Sequence, residues 1–244
     1  LSLTSWIFSK PCFVFTDTDN AYLTNFISTT FATKVIVPDC FKSIKSNSIV
    51  KYKGYHELSY LHPLKIEKIQ RIKSPSRKKS FMVRFVSWDA IHDIGEQTLT
   101  FEQKISILKL LNKHGETLIS FEGETPVEIK KYAKEFDSKD VHSHMLNCDL
   151  VVGESATMAS EAACLGIPAI FISHTGRCYT TEQDKKYGLV KHFQPHQFNK
   201  ILSQITNWTN CDMKDQWVRK RDILINDKID VSTWVVDYVL KTTQ

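Results

Sequence analysis

The chain has 244 residues, 42% of them apolar and 24% charged, with a net charge of +5; this is an ordinary balance for a globular protein with one large or two small cores. No apolar run approaches the ~18–20 residues of a membrane span, and Lys10 and Pro11 interrupt the N-terminus before a signal-peptide core can form. The six scattered cysteines include no Cys-x-x-Cys pair, which points to reduced thiols in a cytosolic protein.

In chain order, the first residues, LSLTSWIFSK, read as the end of a helix. CFVFTDTD (12–19) is a strand running into a polar loop, 21–31 a helix, KVIVP (34–38) a strand and SIVKYKGYHE (48–57) a third. Between Lys42 and Lys79 stand eleven Lys/Arg against Glu57 and Glu67, a local balance of +9 that leaves about −4 elsewhere. Such a stretch suits an anionic membrane, an anionic substrate or simply solvent, and it carries no nucleic-acid-binding signature.

From about residue 80 strands and helices alternate. SFMVRFVS (80–87) is a buried strand. Thr100 and Gln103 form a capping box ahead of a helix carrying Ile105, Leu108 and Leu111, with Gly115 as its stop. TLISF (117–121) is a strand, Pro126 opens a helix through about Phe136, and 141–148 is a shorter helix. His142 and His144 within it do not share a face, so no metal site is expected there. DLVVG (149–153), PAIFIS (168–173) and LVKHF (189–193) are strands, with helices at 155–165, 181–187, 196–208, 212–226 and 232–240.

Short apolar strands separated by helices predict β-α-β units in a parallel sheet. The expected organisation is α/β: residues 80–228 form a complete doubly wound Rossmann-like domain, 62–79 a basic linker, and 229–244 a C-terminal helix returning to the N-terminal domain. Residues 1–61 hold too few strands for a covered parallel sheet and read as the C-terminal half of a second α/β domain. The chain also begins at Leu1 rather than Met, so a truncated N-terminal domain is expected, with an exposed edge that favours a homodimer.

GESATMASEAACLGIPAIF (153–171) carries the functional signal. Gly153 permits a tight turn and close approach of a ligand. Ser155 is a good N-cap, and the amides around Ala156 and Thr157 with the positive end of the helix dipole make a phosphate site. Glu161 lies about 9 Å further along the axis, where its carboxylate reaches the two hydroxyls of a ribose attached to that phosphate. Glu154, seven residues before Glu161, is expected on the same face.

This stretch resembles the nucleotide-sugar-binding helix of the GT-B superfamily, and the chain resembles a family of poorly characterised microbial proteins akin to UDP-N-acetylglucosamine 2-epimerases and glycosyltransferases. TDTDNAYLTNFISTTFATKVIVP (16–38), VRFVSWDAIHDIG (83–95), ISFEGETP (119–126), DVHSHMLNCDLVVGES (140–155) and DKIDVSTWVVDYV (227–239) extend the likeness over most of the chain. The resemblance implies that Ser155 contacts a nucleotide diphosphate, Glu161 its ribose and Glu154 the sugar, and that Val141 and His142 hold the base. The His-Arg-Arg-Glu-Asn loop of the epimerases is absent; Arg84-Phe85-Val86-Ser87-Trp88 stands there. This favours a metal-independent glycosyltransferase, probed further by the alternatives of an epimerase or a non-catalytic binding protein.

Other candidates lie at the same sheet edge. Arg84 can clamp a pyrophosphate, Asp19, His92 and Asp93 are candidate catalytic groups, and Thr175 and Gly176 can close over phosphate or sugar. The expected ligand is a UDP-sugar used as substrate, with no cofactor and no bound metal; Asp17-Thr18-Asp19 has the spelling of a metal motif but sits in the N-terminal part. The expected partners are a nucleotide-sugar donor and a saccharide or lipid-linked acceptor, with peripheral membrane contact through 42–79 and no nucleic acid. The expected location is the cytoplasm or the inner face of the membrane.

Overall fold

The structure, a computed structural model, describes residues 1–42, 46–66, 78–86, 98–121 and 124–243. Two parallel sheets organise it. The first contains β1 (Phe13–Phe15), β2 (Lys34–Pro38) and β3 (Ile49–Tyr52) in the order β1-β2-β3. Helices α1 (Ser2–Ile7) and α2 (Tyr22–Phe31) precede and connect its strands, and α3 (Leu58–Leu61) and α4 (Pro63–Ile66) follow it.

The second sheet contains β4 (Lys79–Phe85), β5 (Gly115–Phe121), β6 (Lys134–Glu135), β7 (Leu150–Gly153), β8 (Ala169–Ile172) and β9 (Val190–Phe193). Its order is β6-β5-β4-β7-β8-β9, all parallel. The direction of strand succession therefore reverses between β4 and β7, the position at which sheets of this kind hold a ligand crevice beyond the C-terminal ends of the strands.

Strand β4 shows how one segment serves two layers. Phe81, Val83 and Phe85 face a core completed by Ile107, Leu108 and Leu111 of α5 (Phe101–Asn112) and by Ile201 and Ile205 of α10 (Phe198–Asn210). Met82, pointing the other way, joins a core formed with Ala159, Ala162 and Ala163 of α8 (Ala156–Leu165) and Trp217 of α11 (Lys214–Asp227). This second core continues without a break into Val35, Ile36, Val37, Tyr55, Leu58 and Leu61. The two sheets thus share buried apolar surface. The remaining elements are α6 (Val127–Lys130), α7 (Val141–Met145), α9 (Cys178–Glu182) and α12 (Val231–Thr243).

Local signals explain most boundaries. Thr100 accepts from the Gln103 amide while the Gln103 side chain accepts from the Thr100 amide, so the capping box at the start of α5 is complete. Ser155 caps α8 by accepting from the Met158 amide, and Gly166 closes that helix at φ 76°.

Three expectations fail here. Gly115 does not stop α5, which ends at Asn112 with Lys113 as its C-cap; it opens β5, where it pairs with Lys79. The helix expected from Pro126 to Phe136 is the single turn of α6, after which Lys134 and Glu135 pair with β5 as a short edge strand. The helix expected from Thr181 starts at Cys178, and beyond Glu182 it widens into a π-turn over Gln183–Tyr187.

The C-terminal helix α12 lies on the first sheet. The Ile229 amide donates to the Lys53 carbonyl, and the rings of Trp234 and Tyr52 stand 5.8 Å apart. No helix among the described residues is long and apolar enough to cross a membrane.

Candidate functional site

The crevice between β4 and β7 gathers several of the residues singled out in the sequence. Arg84 is paired with Gly153 across the two strands. Its guanidinium is directed sideways to β5 and donates to Ser120 Oγ at 2.5 Å. Gly153 is required by the close passage of β4: a Cβ there would stand 2.1 Å from the Arg84 carbonyl oxygen. That carbonyl also accepts from the Glu154 amide at 2.9 Å.

Glu154 is also corrected. It does not share a helical face with Glu161, because it lies before the cap, with Ser155 extended and α8 beginning at Ala156. Its carboxylate faces inward, toward Lys104 Nζ at 3.1 Å, the two side chains being 4% and 1% exposed. The Leu99 amide donates to Oε1 and the Val86 amide to Oε2. Lys104 also donates to the Val86 carbonyl and stands over the Phe85 ring. Glu154 therefore ties together the two ends of the segment between Val86 and Leu99. A buried ammonium and two amides take most of this carboxylate's acceptor capacity, which argues against the expected sugar contact. The candidates His92 and Asp93 belong to that segment and lie outside the described residues.

At the start of α8 the geometry is more open. Ser155 and Ala156 are half-buried and Thr157 is exposed. The first amides of a helix have no partner within it, and here they face the crevice end of the sheet with the positive end of the dipole.

Glu161 stands one and a half turns further on, its side chain 10% exposed. Its Oε1 receives the Tyr60 hydroxyl at 2.9 Å and faces His142 Nε2 at 2.9 Å. The rings of Tyr60 and His142 are 5.6 Å apart. Tyr60 comes from α3, on the first sheet's side, and His142 from α7, so Glu161 is where the two parts of the chain meet. Burial, and then the Glu161 charge, push the Tyr60 phenol well above its usual range. Val141, the first residue of α7, is half-buried beside the shared core.

Beneath Tyr60 lies a group that the sequence did not announce. Glu57 is 1% exposed. Burial raises its carboxyl to about 8, its own backbone amide opposing and the Asp17 charge adding to the shift. Gln183 Nε2 donates to Ser160 Oγ at 2.8 Å in the same region, and the Ser160 hydroxyl reaches Glu57. Among the described residues, Glu57 Oε2 and Gln183 Oε1 have no hydrogen-bond partner.

The remaining candidates meet at α9. Asp19 Oδ1 accepts from the Cys178 amide at 3.4 Å, and the Cys178 thiol is directed to the Asp17 carbonyl. Thr175 Oγ1 accepts from Arg177, and Gly176 packs against Thr181. The loop carrying Asp19 thus touches the loop carrying Thr175 and Gly176 across the seam. Of the residues that sequence reasoning missed, Lys104 had a readable signal. It falls on the stripe of Ile107, Leu108 and Leu111, where a lysine needs a buried partner. Tyr60 had none, its partner being 101 residues away.

A family described as Protein of unknown function (DUF354) matches residues 99–240. This chain belongs to that family. No curated protein sequence matches it. Among solved structures, the DUF354 chain is similar to the S. aureus MnaA-UDP co-structure, with a TM-score of 0.62 at 11% identity over 98% of this chain and 71% of that one. The UDP-GlcNAc 2-epimerase from Neisseria meningitidis bound to UDP-GlcNAc gives a TM-score of 0.59 at 16% identity, over 98% and 72% of the two chains. The glycotransferase of kitacinnamycin gives 0.54 at 8% identity, over 91% and 60%. The chain therefore spans between 60% and 72% of the length of these three structures. What they share with this DUF354 protein is the fold: GT-B-like, with Rossmann-like parallel α/β units.

Proposed function

We propose that this chain handles a nucleotide sugar as part of a GT-B-type glycosyltransferase, in surface polysaccharide synthesis. The observation that carries the reading is the relation between the open start of α8 at the strand-order reversal and Glu161 further along the same helix. A diphosphate at Ser155, Ala156 and Thr157 would use the unpaired amides and the helix dipole. The ribose would then meet Glu161, beside His142. Arg84 would supply positive charge at the rim of the crevice. Stabilisation of a leaving diphosphate by dipole and amides asks for no metal at this point.

On this reading the donor is a UDP-sugar and the acceptor a saccharide or a lipid-linked one, meeting the donor from the side of Asp19, Thr175 and Gly176. Asp19 is the described candidate for a base. Glu154 acts indirectly, by fixing the ends of the segment that carries His92 and Asp93.

Calorimetry with UDP tests the reading. Glu161→Ala removes up to two charge-assisted hydrogen bonds, about 1.5–3 kcal/mol each, and should weaken binding by at least tenfold; unchanged affinity would overturn it. Product analysis with UDP-GlcNAc separates the activities. C2 epimerisation without acceptor would assign the chain to the epimerases, and binding without turnover, with saccharide acceptors supplied, would make it a binding protein.

A further inference from the structure

Away from α8, the seam between the two sheets holds a second cluster. Asp39 and Cys40 follow directly on β2, and Cys178 and Glu182 are the first and last residues of α9. Residues four apart on a helix share a face, so α9 presents a thiol and a carboxylate together. One ligand atom from each of Asp39, Cys40 and Glu182 lies within 4.8 Å of the others, all three residues being half-buried. The Cys178 thiol neighbours that of Cys40 and donates to the Asp17 carbonyl at 3.6 Å. Two adjacent residues from one sheet's side thus meet two helical neighbours from the other.

We propose that Asp39, Cys40, Cys178 and Glu182 form a binding site for a zinc-type divalent metal that joins the two parts of the chain. Two thiolates and two carboxylates make a four-coordinate set of the kind zinc accepts, and thiolates select against magnesium and calcium. With bonds of about 2.0–2.3 Å, ligand atoms around tetrahedral zinc stand roughly 3.3–3.8 Å apart. Asp39, Cys40 and Glu182 need shifts of about an ångström to reach that size, and Cys178 must in addition turn from the Asp17 carbonyl.

The surroundings already hold the carboxylates in place. Lys228 Nζ, with a fully buried side chain, bonds Asp39 Oδ1 at 3.0 Å, Asp39 Oδ2 at 3.3 Å and Glu182 Oε2 at 2.9 Å. The Tyr55 hydroxyl donates to Glu182 Oε2 at 2.6 Å. Glu182 Oε1 takes no part in these bonds and is the oxygen offered to the metal. Asp39 would give up one of its two bonds to Lys228. Lys228 and Tyr55 then act as the outer hydrogen bonds that orient metal ligands. On binding, each thiol releases its proton to solvent and the sulfur lone pair bonds the metal, so two protons leave per ion.

The test uses the full chain, stripped with a chelator and titrated with cobalt(II) as a spectroscopic stand-in and then with zinc. The expected result is one ion per chain, a thiolate-to-cobalt charge-transfer band that zinc abolishes, and a rise of several degrees in melting temperature with zinc. Cys40→Ser and Cys178→Ser should each lose at least tenfold in affinity together with most of the band, whereas Cys211→Ser, at an exposed thiol, should keep both. X-ray absorption on zinc-loaded wild-type protein should show a first shell of mixed sulfur and oxygen, and this reading needs no variant to fold. Absence of a thiolate band in the wild type, its survival in both Cys40→Ser and Cys178→Ser, or a first shell without sulfur would each overturn the proposal.

Discussion

The Tyr60 hydroxyl donates a hydrogen bond to Glu161 Oε1 at 2.9 Å, so a residue of the first sheet's side occupies the carboxylate oxygen that the proposed ribose contact requires. A ligand hydroxyl and the phenol compete for the same acceptor. Tyr60→Phe keeps the ring, which is already 37% exposed, and removes the competitor. A neutral hydrogen bond contributes about 1 kcal/mol, so UDP should bind the variant up to about fivefold more tightly in calorimetry. Weaker binding would show that Tyr60 assists the ligand instead of yielding to it.

The Lys104–Glu154 pair gives a stability prediction. Both side chains are almost fully buried, and removing one member of such a pair strands the other charge. Lys104→Met should cost about 3–5 kcal/mol in urea unfolding. The double variant Lys104→Met/Glu154→Gln should recover part of that loss. A single-variant loss below about 1 kcal/mol would mean that water reaches the pair.

Glu57 sets a pH dependence. Its folded carboxyl titrates at about 8, raised from 4.5, chiefly by burial. Between those two values the folded chain holds a proton that the unfolded chain has released. Stability should therefore fall as pH rises from about 4.5 to about 8 and level off above, by an amount on the order of a few kcal/mol from this group. Glu57→Gln cannot ionise and should flatten that slope in urea unfolding measured at pH 5 and pH 8. A slope equal to that of the wild type would place its origin elsewhere.

The basic stretch from Lys42 to Lys79 carries a weaker expectation than its charge suggests. Lys51 donates to the Asp39 and Phe41 carbonyls, Lys53 pairs with Asp227, Lys65 with Asp230, and Lys79 donates to the Thr209 and Cys211 carbonyls. Residues 43–45 and 67–77 of the stretch lie outside the described residues. Co-sedimentation with liposomes should rise with anionic lipid and fall with salt, at about 1 kcal/mol for each Lys or Arg that reaches the surface. Independence from both would assign the stretch to these internal ties.

The alternation of apolar strands and helices was legible because inner strands of the second sheet such as β7 and β8 are buried on both faces, which leaves runs such as LVVG and AIFI with little polar interruption. The α5 capping box and the Ser155 cap were legible because they are written within four residues. Pro126 misled because a helix start was visible and its early end was not: Lys134 and Glu135 form an edge strand by pairing with β5, and neither residue favours a strand by itself. Glu154 was misread for a related reason. Its spacing from Glu161 suggested one helical face, whereas its partner, Lys104, comes from another helix. The glycine before Glu154 also marks the close passage of β4, which no local pattern announces. Contacts made between distant segments, such as Tyr60 with Glu161 or Asp19 with Cys178, leave no local periodicity to read.

The path of the chain between the two sheets has one more consequence. It passes from α4, ending at Ile66, to β4 at Lys79, and returns from α11, ending at Asp227, to α12 at Val231. The point where the chain leaves the first sheet's side and the point where it comes back are tied, since Lys65 of α4 meets Asp230 at 3.6 Å and Lys53, just after β3, meets Asp227 at 3.1 Å. Both pairs are partly exposed, so each holds the crossing with about 0–1 kcal/mol and weakens as salt rises.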